Sequence, residues 1–153
     1  MPNRSRRRFL AAAAAGAAVA AHARVSHAQL AVQPLEPVIA KVTGGATVRE
    51  GRVTLDIPRL ADNGHSVPLK VSVSSPMNEQ EFVKTIHILS ERNPRPLVAA
   101  FYLNPHCGRA EVSTRVRLNG SQRVFAIAAL SDGSYWSGSA PVEVTETACL
   151  DET

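Results

Sequence analysis

Two cysteines, Cys107 and Cys149, are all that the 153 residues carry, too few for a disulfide scaffold or a four-thiolate metal site. No Cys-x-x-Cys pair, phosphate loop or Ser-His-Asp signature is present, so the common nucleophile and nucleotide motifs are missing. The length leaves no room for a two-domain enzyme. No apolar run reaches the roughly 20 residues that a helix needs to cross a bilayer, which argues against stable membrane association. Acidic side chains are absent from residues 1–28, where five arginines stand: Arg4, Arg6, Arg7, Arg8 and Arg24.

What is present reads as a globular chain, 44% hydrophobic and 20% charged. The 17 basic and 13 acidic residues give a formal charge of +4, but the excess sits at the front. Ser5-Arg6-Arg7-Arg8-Phe9-Leu10, an alanine-rich stretch over residues 11–21 and the small-residue pattern Ser26-His27-Ala28 have the layout of a twin-arginine export signal. Cleavage after Ala28 removes five of the 17 basic residues, leaving 12 against 13 acidic and a net charge of −1. Nucleic-acid binding then loses the clustered positive charge it depends on. The expected location is the periplasm, and the expected division is a signal over residues 1–28, a domain over 29–145 and a C-terminal arm over 146–153.

Residues 37–42, with proline in the first turn and Gly44-Gly45 as the stop, predict a short helix. Beyond Arg52 the period is two. Val53, Leu55 and Ile57 form one such set, Val67, Leu69, Val71 and Val73 a second, and Val112, Thr114, Val116 and Leu118 a third. Turn signals separate the runs at Asn63-Gly64, Ser75-Pro76, Asn93-Pro94, Asn104-Pro105, Asn119-Gly120 and Asp132-Gly133. The pattern predicts an all-β fold, an immunoglobulin-like antiparallel sandwich of about seven strands with a short N-terminal helix. Residues 82–89, 97–103 and 124–130 are apolar on both faces and need cover outside the core, from the helix and loops or from a partner subunit.

Several stretches resemble one family. Residues 63–77, from Asn63-Gly64-His65-Ser66 to Ser75-Pro76-Met77, are followed by Val83-Lys84-Thr85-Ile86-His87-Ile88. Gly108-Arg109-Ala110-Glu111 through Leu118 and Ala128-Ala129-Leu130-Ser131-Asp132-Gly133-Ser134 continue the likeness, and Thr43-Gly44-Gly45-Ala46-Thr47 opens it. With the twin-arginine signal, the chain resembles the SoxY family, the sulfur-carrying subunits of the SoxYZ complex of thiosulfate oxidation. The resemblance implies a carrier rather than an enzyme, without cofactor, paired with a SoxZ-like subunit and visited transiently by other Sox enzymes. It also implies that sulfur is held covalently on a cysteine of the arm.

Counted from Val142-Glu143-Val144-Thr145, the family's cysteine falls on Cys149. The family's flanking glycines are replaced by Thr147-Ala148 and Leu150-Asp151-Glu152-Thr153, so the thiol is kept and the slim, flexible backbone is not. The acidic neighbours raise the expected thiol pKa modestly. Carriage on Cys149 stands beside an alternative, a structural or interaction module whose tail no longer carries sulfur. Cys107, in the turn Asn104-Pro105-His106-Cys107-Gly108, is a second thiol or the partner of Cys149 in a disulfide. Met77, His87, His106 and Cys107 are ligand types of a blue-copper site, but no second histidine and methionine follow the cysteine closely, so no metal is expected.

Overall fold

The computed structural model describes residues 32–146; the expected signal over 1–28 and residues 147–153, with Cys149, lie outside the described residues. A helix, α1, spans Leu35–Thr43. It is longer than residues 37–42 because proline at the third helical position, Pro37, lacks only an N–H that has no intrahelical partner in a first turn. Glu36 in the first turn and Lys41 in the last complement the helix dipole. Gly44 adopts φ 64°, a left-handed conformation that lets Gly45 N–H close on the Ala40 carbonyl at 2.9 Å.

Nine strands follow in two sheets among the described residues: β1 Val48–Glu50, β2 Val53–Asp56, β3 Leu60–Asn63, β4 Val67–Val73, β5 Val83–Ser90, β6 Leu97–Tyr102, β7 Glu111–Val116, β8 Gln122–Leu130 and β9 Tyr135–Glu146. The smaller sheet runs β2-β4-β7, all antiparallel. The larger runs β1-β9-β8-β5-β6, with β3 also on β9. In β4 the period-two pattern is realised directly: Val67, Leu69, Val71 and Val73 are buried, facing the other sheet. Ile86, Ile88, Val124, Leu118 and Val142 meet them in the core. The immunoglobulin-like sandwich predicted from the sequence is the fold observed.

Two features differ from the expectation. There are nine strands rather than about seven, and β1 and β3 pair with β9 in parallel rather than antiparallel. Both follow from the 12-residue length of β9. The chain pairs with its first part as β1, crosses at Gly51 and Arg52 (φ 110° and 56°) into the smaller sheet as β2, and returns to its last part as β3. Gly138 makes this crossing close-fitting, since a Cβ there would run into the Val53 carbonyl oxygen.

The doubly apolar strands find part of their cover within the chain. Register places Thr85, His87 and Leu89 of β5 beside Ala129, Ile127 and Phe125 of β8 on the outer face of the larger sheet. Leu89, Ile127 and Ala129 are buried without belonging to the inter-sheet core, and α1 packs against β5. Strand β6 at the free edge is different: Leu97 is 41% and Tyr102 80% exposed.

Candidate functional site: the root of the C-terminal arm

The sandwich has two ends, and the strand directions assign residues to each. Strand β9 starts at Tyr135 beside Ala129 and finishes at Glu146 beside Asn63. At its finish it is held on both sides. The Ser121 hydroxyl accepts from Val144 N–H at 2.9 Å and lies 3.4 Å from the Val144 carbonyl. Across from it, Arg59 carbonyl accepts from Glu143 N–H at 2.7 Å, Thr145 Oγ1 donates to the Asp62 carbonyl at 2.5 Å, and Gly64 N–H donates to the Glu146 carbonyl at 2.9 Å. Backbone and side-chain bonds therefore fix the strand to Glu146, three positions before Cys149.

Beside this root two loops form a platform around a buried polar hub. Ser90, fully buried, donates through its hydroxyl to Gln122 Oε1, which also accepts from Arg92 N–H at 2.9 Å. Gln122 Nε2 donates to the Gly120 carbonyl at 3.1 Å, and Asn93 N–H to Ser90 Oγ at 3.3 Å. Asn93 then ties the loops from outside: its Nδ2 donates to the Arg117 carbonyl at 2.8 Å and its Oδ1 accepts from Asn119 N–H at 2.9 Å. Nearly every polar group of the hub is satisfied, which makes the platform stiff. Its rim carries the exposed arginines Arg92, Arg95 and Arg117, and Arg92 Nη1 donates to the Ser121 carbonyl at 3.1 Å.

Cys107 stands at the other end. It closes a 3₁₀ turn, Pro105–Cys107, within the turn expected over residues 104–108. Asn104 caps the turn, its Oδ1 accepting from His106 N–H at 2.9 Å, and the exposed Cys107 thiol points to the same oxygen at 3.8 Å. From this turn β7 runs the length of the sandwich: the Ala110 carbonyl accepts from Val73 N–H at one end, and Leu118 N–H reaches Gly64, the neighbour of Glu146, at the other. At about 3.3 Å per residue, the eight steps from Ala110 to Leu118 cover roughly 26 Å.

The remaining candidate ligands are dispersed. Met77 is in the core, its sulfur accepting from Val83 N–H at 3.3 Å. His87 lies on the outer face of β5 with a buried Nδ1 that has no hydrogen-bond partner, and burial lowers its pKa below the ordinary 6.5. Among the described residues no three His, Cys, Asp or Glu side chains gather as a metal site would require. The Ser90–Gln122 hub and the arginine rim escaped the sequence reading. Asn93-Pro94 and Asn119-Gly120 marked the two loops as turns, but nothing local signals that a glutamine 32 positions away satisfies a buried serine.

Comparison with known proteins bears on the whole domain. A family described as "Sulfur oxidation protein SoxY" matches residues 39–149. Among solved structures, the sulfur carrier protein SoxY from Chlorobium limicola f thiosulfatophilum is 27% identical with a TM-score of 0.62, over 72% of this chain and 90% of that one. Superoxide reductases share the fold at lower identity. The Ignicoccus hospitalis neelaredoxin is 16% identical with a TM-score of 0.55, over 61% of this chain and 80% of that one. The enzyme from Nanoarchaeum equitans is 11% identical with a TM-score of 0.53, over 63% of this chain and 100% of that one. No curated protein matches the sequence.

Proposed function

The chain belongs to the SoxY family of sulfur oxidation proteins, and from that premise we propose that it is a periplasmic sulfur carrier whose cargo is bound on Cys149. A sulfur-oxidation carrier role is what the family and the solved SoxY carrier support. The finer reading, a C-terminal cysteine loaded with thiosulfate-derived sulfur beside a SoxZ-like partner, rests on the family match reaching residue 149 and on the geometry of the root.

That root is the observation that carries the proposal. A carrier thiol has to leave the domain surface while its attachment stays fixed, and β9 is held up to Glu146. Three further residues extend at most about 10 Å. Cys107 lies at the opposite end of a sandwich roughly 26 Å long, and a disulfide requires Cα atoms about 4.4 to 6.8 Å apart. This separation favours two independent thiols over an internal disulfide. Joining a thiol to thiosulfate through a sulfur–sulfur bond releases one proton and two electrons, so an oxidising partner enzyme is the electron sink. This chain supplies the nucleophile, its reach and the surface against which it is presented.

Intact-mass measurement of the chain recovered from cells oxidising thiosulfate tests the reading. Sulfur or thiosulfonate adducts on the peptide containing Cys149, kept in Cys107→Ser and lost in Cys149→Ser, are the expected result. Adducts confined to Cys107, or none during active oxidation, would favour the non-carrying module that the glycine-free tail suggests.

A further inference from the structure

We propose that the arginine rim beside the end of β9 is a docking surface for a carboxylate-rich face of a partner protein. It deepens the carrier reading and rests on it in one respect: a partner held here stands beside the fixed end of the strand that leads to Cys149.

Four exposed arginines stand on two neighbouring loops and the strand end that enters one of them, Arg92 and Arg95 between β5 and β6, Arg115 and Arg117 at the end of β7. The loops are cross-tied by Asn93, whose Nδ2 donates to the Arg117 carbonyl at 2.8 Å and whose Oδ1 accepts from Asn119 N–H at 2.9 Å. Two of the guanidinium groups meet neutral acceptors: Arg92 Nη1 donates to the Ser121 carbonyl at 3.1 Å, and Arg115 Nη1 to the Ser66 carbonyl and hydroxyl oxygens at 3.3 Å. The ion pairs among the described residues, Arg52–Glu81 and Lys70–Glu111, involve none of the four. Glu91, the one acid on the two loops, accepts through Oε2 from Arg123 N–H at 2.9 Å. Asp62, Glu143 and Glu146, also at this end, belong to β3 and β9. In the larger sheet β8 separates β9 from β5, so those acids start about 10 Å from the Arg92 strand, roughly one Debye length at physiological salt. This end of the domain is thus electrically divided, with surplus positive charge over β5, β6 and β7.

The type of cation and its setting identify the partner. All four side chains are arginines rather than lysines. A planar guanidinium pairs with a carboxylate through two parallel bonds and is more weakly hydrated than an ammonium, which suits it to protein interfaces. On an open surface a single small oxyanion would stay mostly in water. Several carboxylates fixed on one partner give up less freedom in meeting several guanidinium groups on one platform, and the Ser90–Gln122 hub stiffens that platform beforehand. Residues 32–146 carry 12 basic and 11 acidic side chains, so the positive charge is a local patch rather than the long stripe that a nucleic-acid backbone follows. Opposed charge also speeds encounter and orients the approach, bringing the partner to the end where β9 is anchored.

The test adds a synthetic peptide of alternating glutamate and serine to the full chain carrying Cys107→Ser and Cys149→Ser, and follows backbone amide shifts by NMR. At about 20 mM salt the shifts should centre on Arg92, Arg95, Arg117 and Asn119 and leave Arg109, at the opposite end, unmoved. The affinity read from them should fall at least about tenfold in about 0.5 M NaCl, and as much at low salt in Arg95→Gln/Arg117→Gln. Both side chains are exposed, so an unchanged thermal midpoint is expected for the paired variant and checks that its fold is kept. Equal shifts at both ends, shifts reproduced by a lysine–serine peptide, or an affinity indifferent to salt and to the paired substitution would overturn the proposal. Tighter binding of a short DNA duplex at the same amides would overturn it as well. Because the chain tested has no thiol, the outcome is separate from that of the carrier reading. Adducts on Cys149 without peptide binding overturn the docking surface alone, and peptide binding without adducts overturns carriage alone.

Discussion

The hydroxyl of Ser90 donates to the side-chain carbonyl of Gln122, joining the end of β5 to the start of β8 where both side chains are buried. Truncating either partner leaves a buried polar group unsatisfied. Ser90→Ala and Gln122→Ala should each cost about 1–3 kcal/mol in urea unfolding. They should also speed amide exchange at Val144, because Ser121, which holds it, sits in the loop that Gln122 anchors.

Gly138→Ala should be more damaging than a surface glycine replacement. The added methyl meets the Val53 carbonyl oxygen and comes within 3.1 Å of Leu55 Cδ1, so β2 must move away from β9. Overpacking of this kind costs about 1–3 kcal/mol. Gly138→Ala should lower the denaturation midpoint clearly, and an unchanged midpoint would show that the crossing yields freely.

His87 ties stability to pH. Its folded-state pKa lies below the ordinary 6.5 because burial penalises the imidazolium, and Nδ1 has no partner to compensate. As pH falls past 6.5 the unfolded chain takes up this proton and the folded one does not, so stability is lost until the folded-state pKa is passed. Urea midpoints measured from pH 7.5 down to 5 should decline, and His87→Leu should flatten that part of the slope.

Edge strand β6 makes a prediction about association. Leu97 and Tyr102 are exposed beside unpaired backbone, the kind of edge that another chain covers. Tyr102→Lys should weaken binding of the proposed SoxZ-like subunit at least about tenfold. At an exposed site the same change should leave the isolated domain's stability within about 0.5 kcal/mol.

Thiol titration of the purified, unreduced chain should give two reactive groups in every molecule, Cys107 and Cys149. A result of zero, with a monomeric mass two units below the reduced value, would mean that the ends of the sandwich come together in a way the strand geometry argues against.

The sequence disclosed the elements whose evidence is local. Alternation in residues 67–73 became β4, the turn pairs fell between strands or, at Asn63, on a strand's last residue, and Gly44-Gly45 stopped the helix. Strands β1 and β3 stayed hidden because three and four residues are too few to display a period, and because their parallel pairing depends on a partner more than 80 positions away. The functional region divides in the same way. The arm cysteine could be singled out by family likeness, whereas the hub beside the end of β9 consists of polar residues that look like ordinary loop and strand-end residues until Ser90 and Gln122 are seen in contact.

The fixing of β9 at Glu146 also gives the molecule an orientation in its dealings with other proteins. A thiol on so short a tether has a high effective concentration at one end of the domain and none at the other. Under the proposed carriage on Cys149, an enzyme that acts on the cargo must engage that end of the domain, so enzymes sharing the carrier would work in turn. A protein seated around Cys107 could remain bound throughout the cycle without ever meeting the cargo.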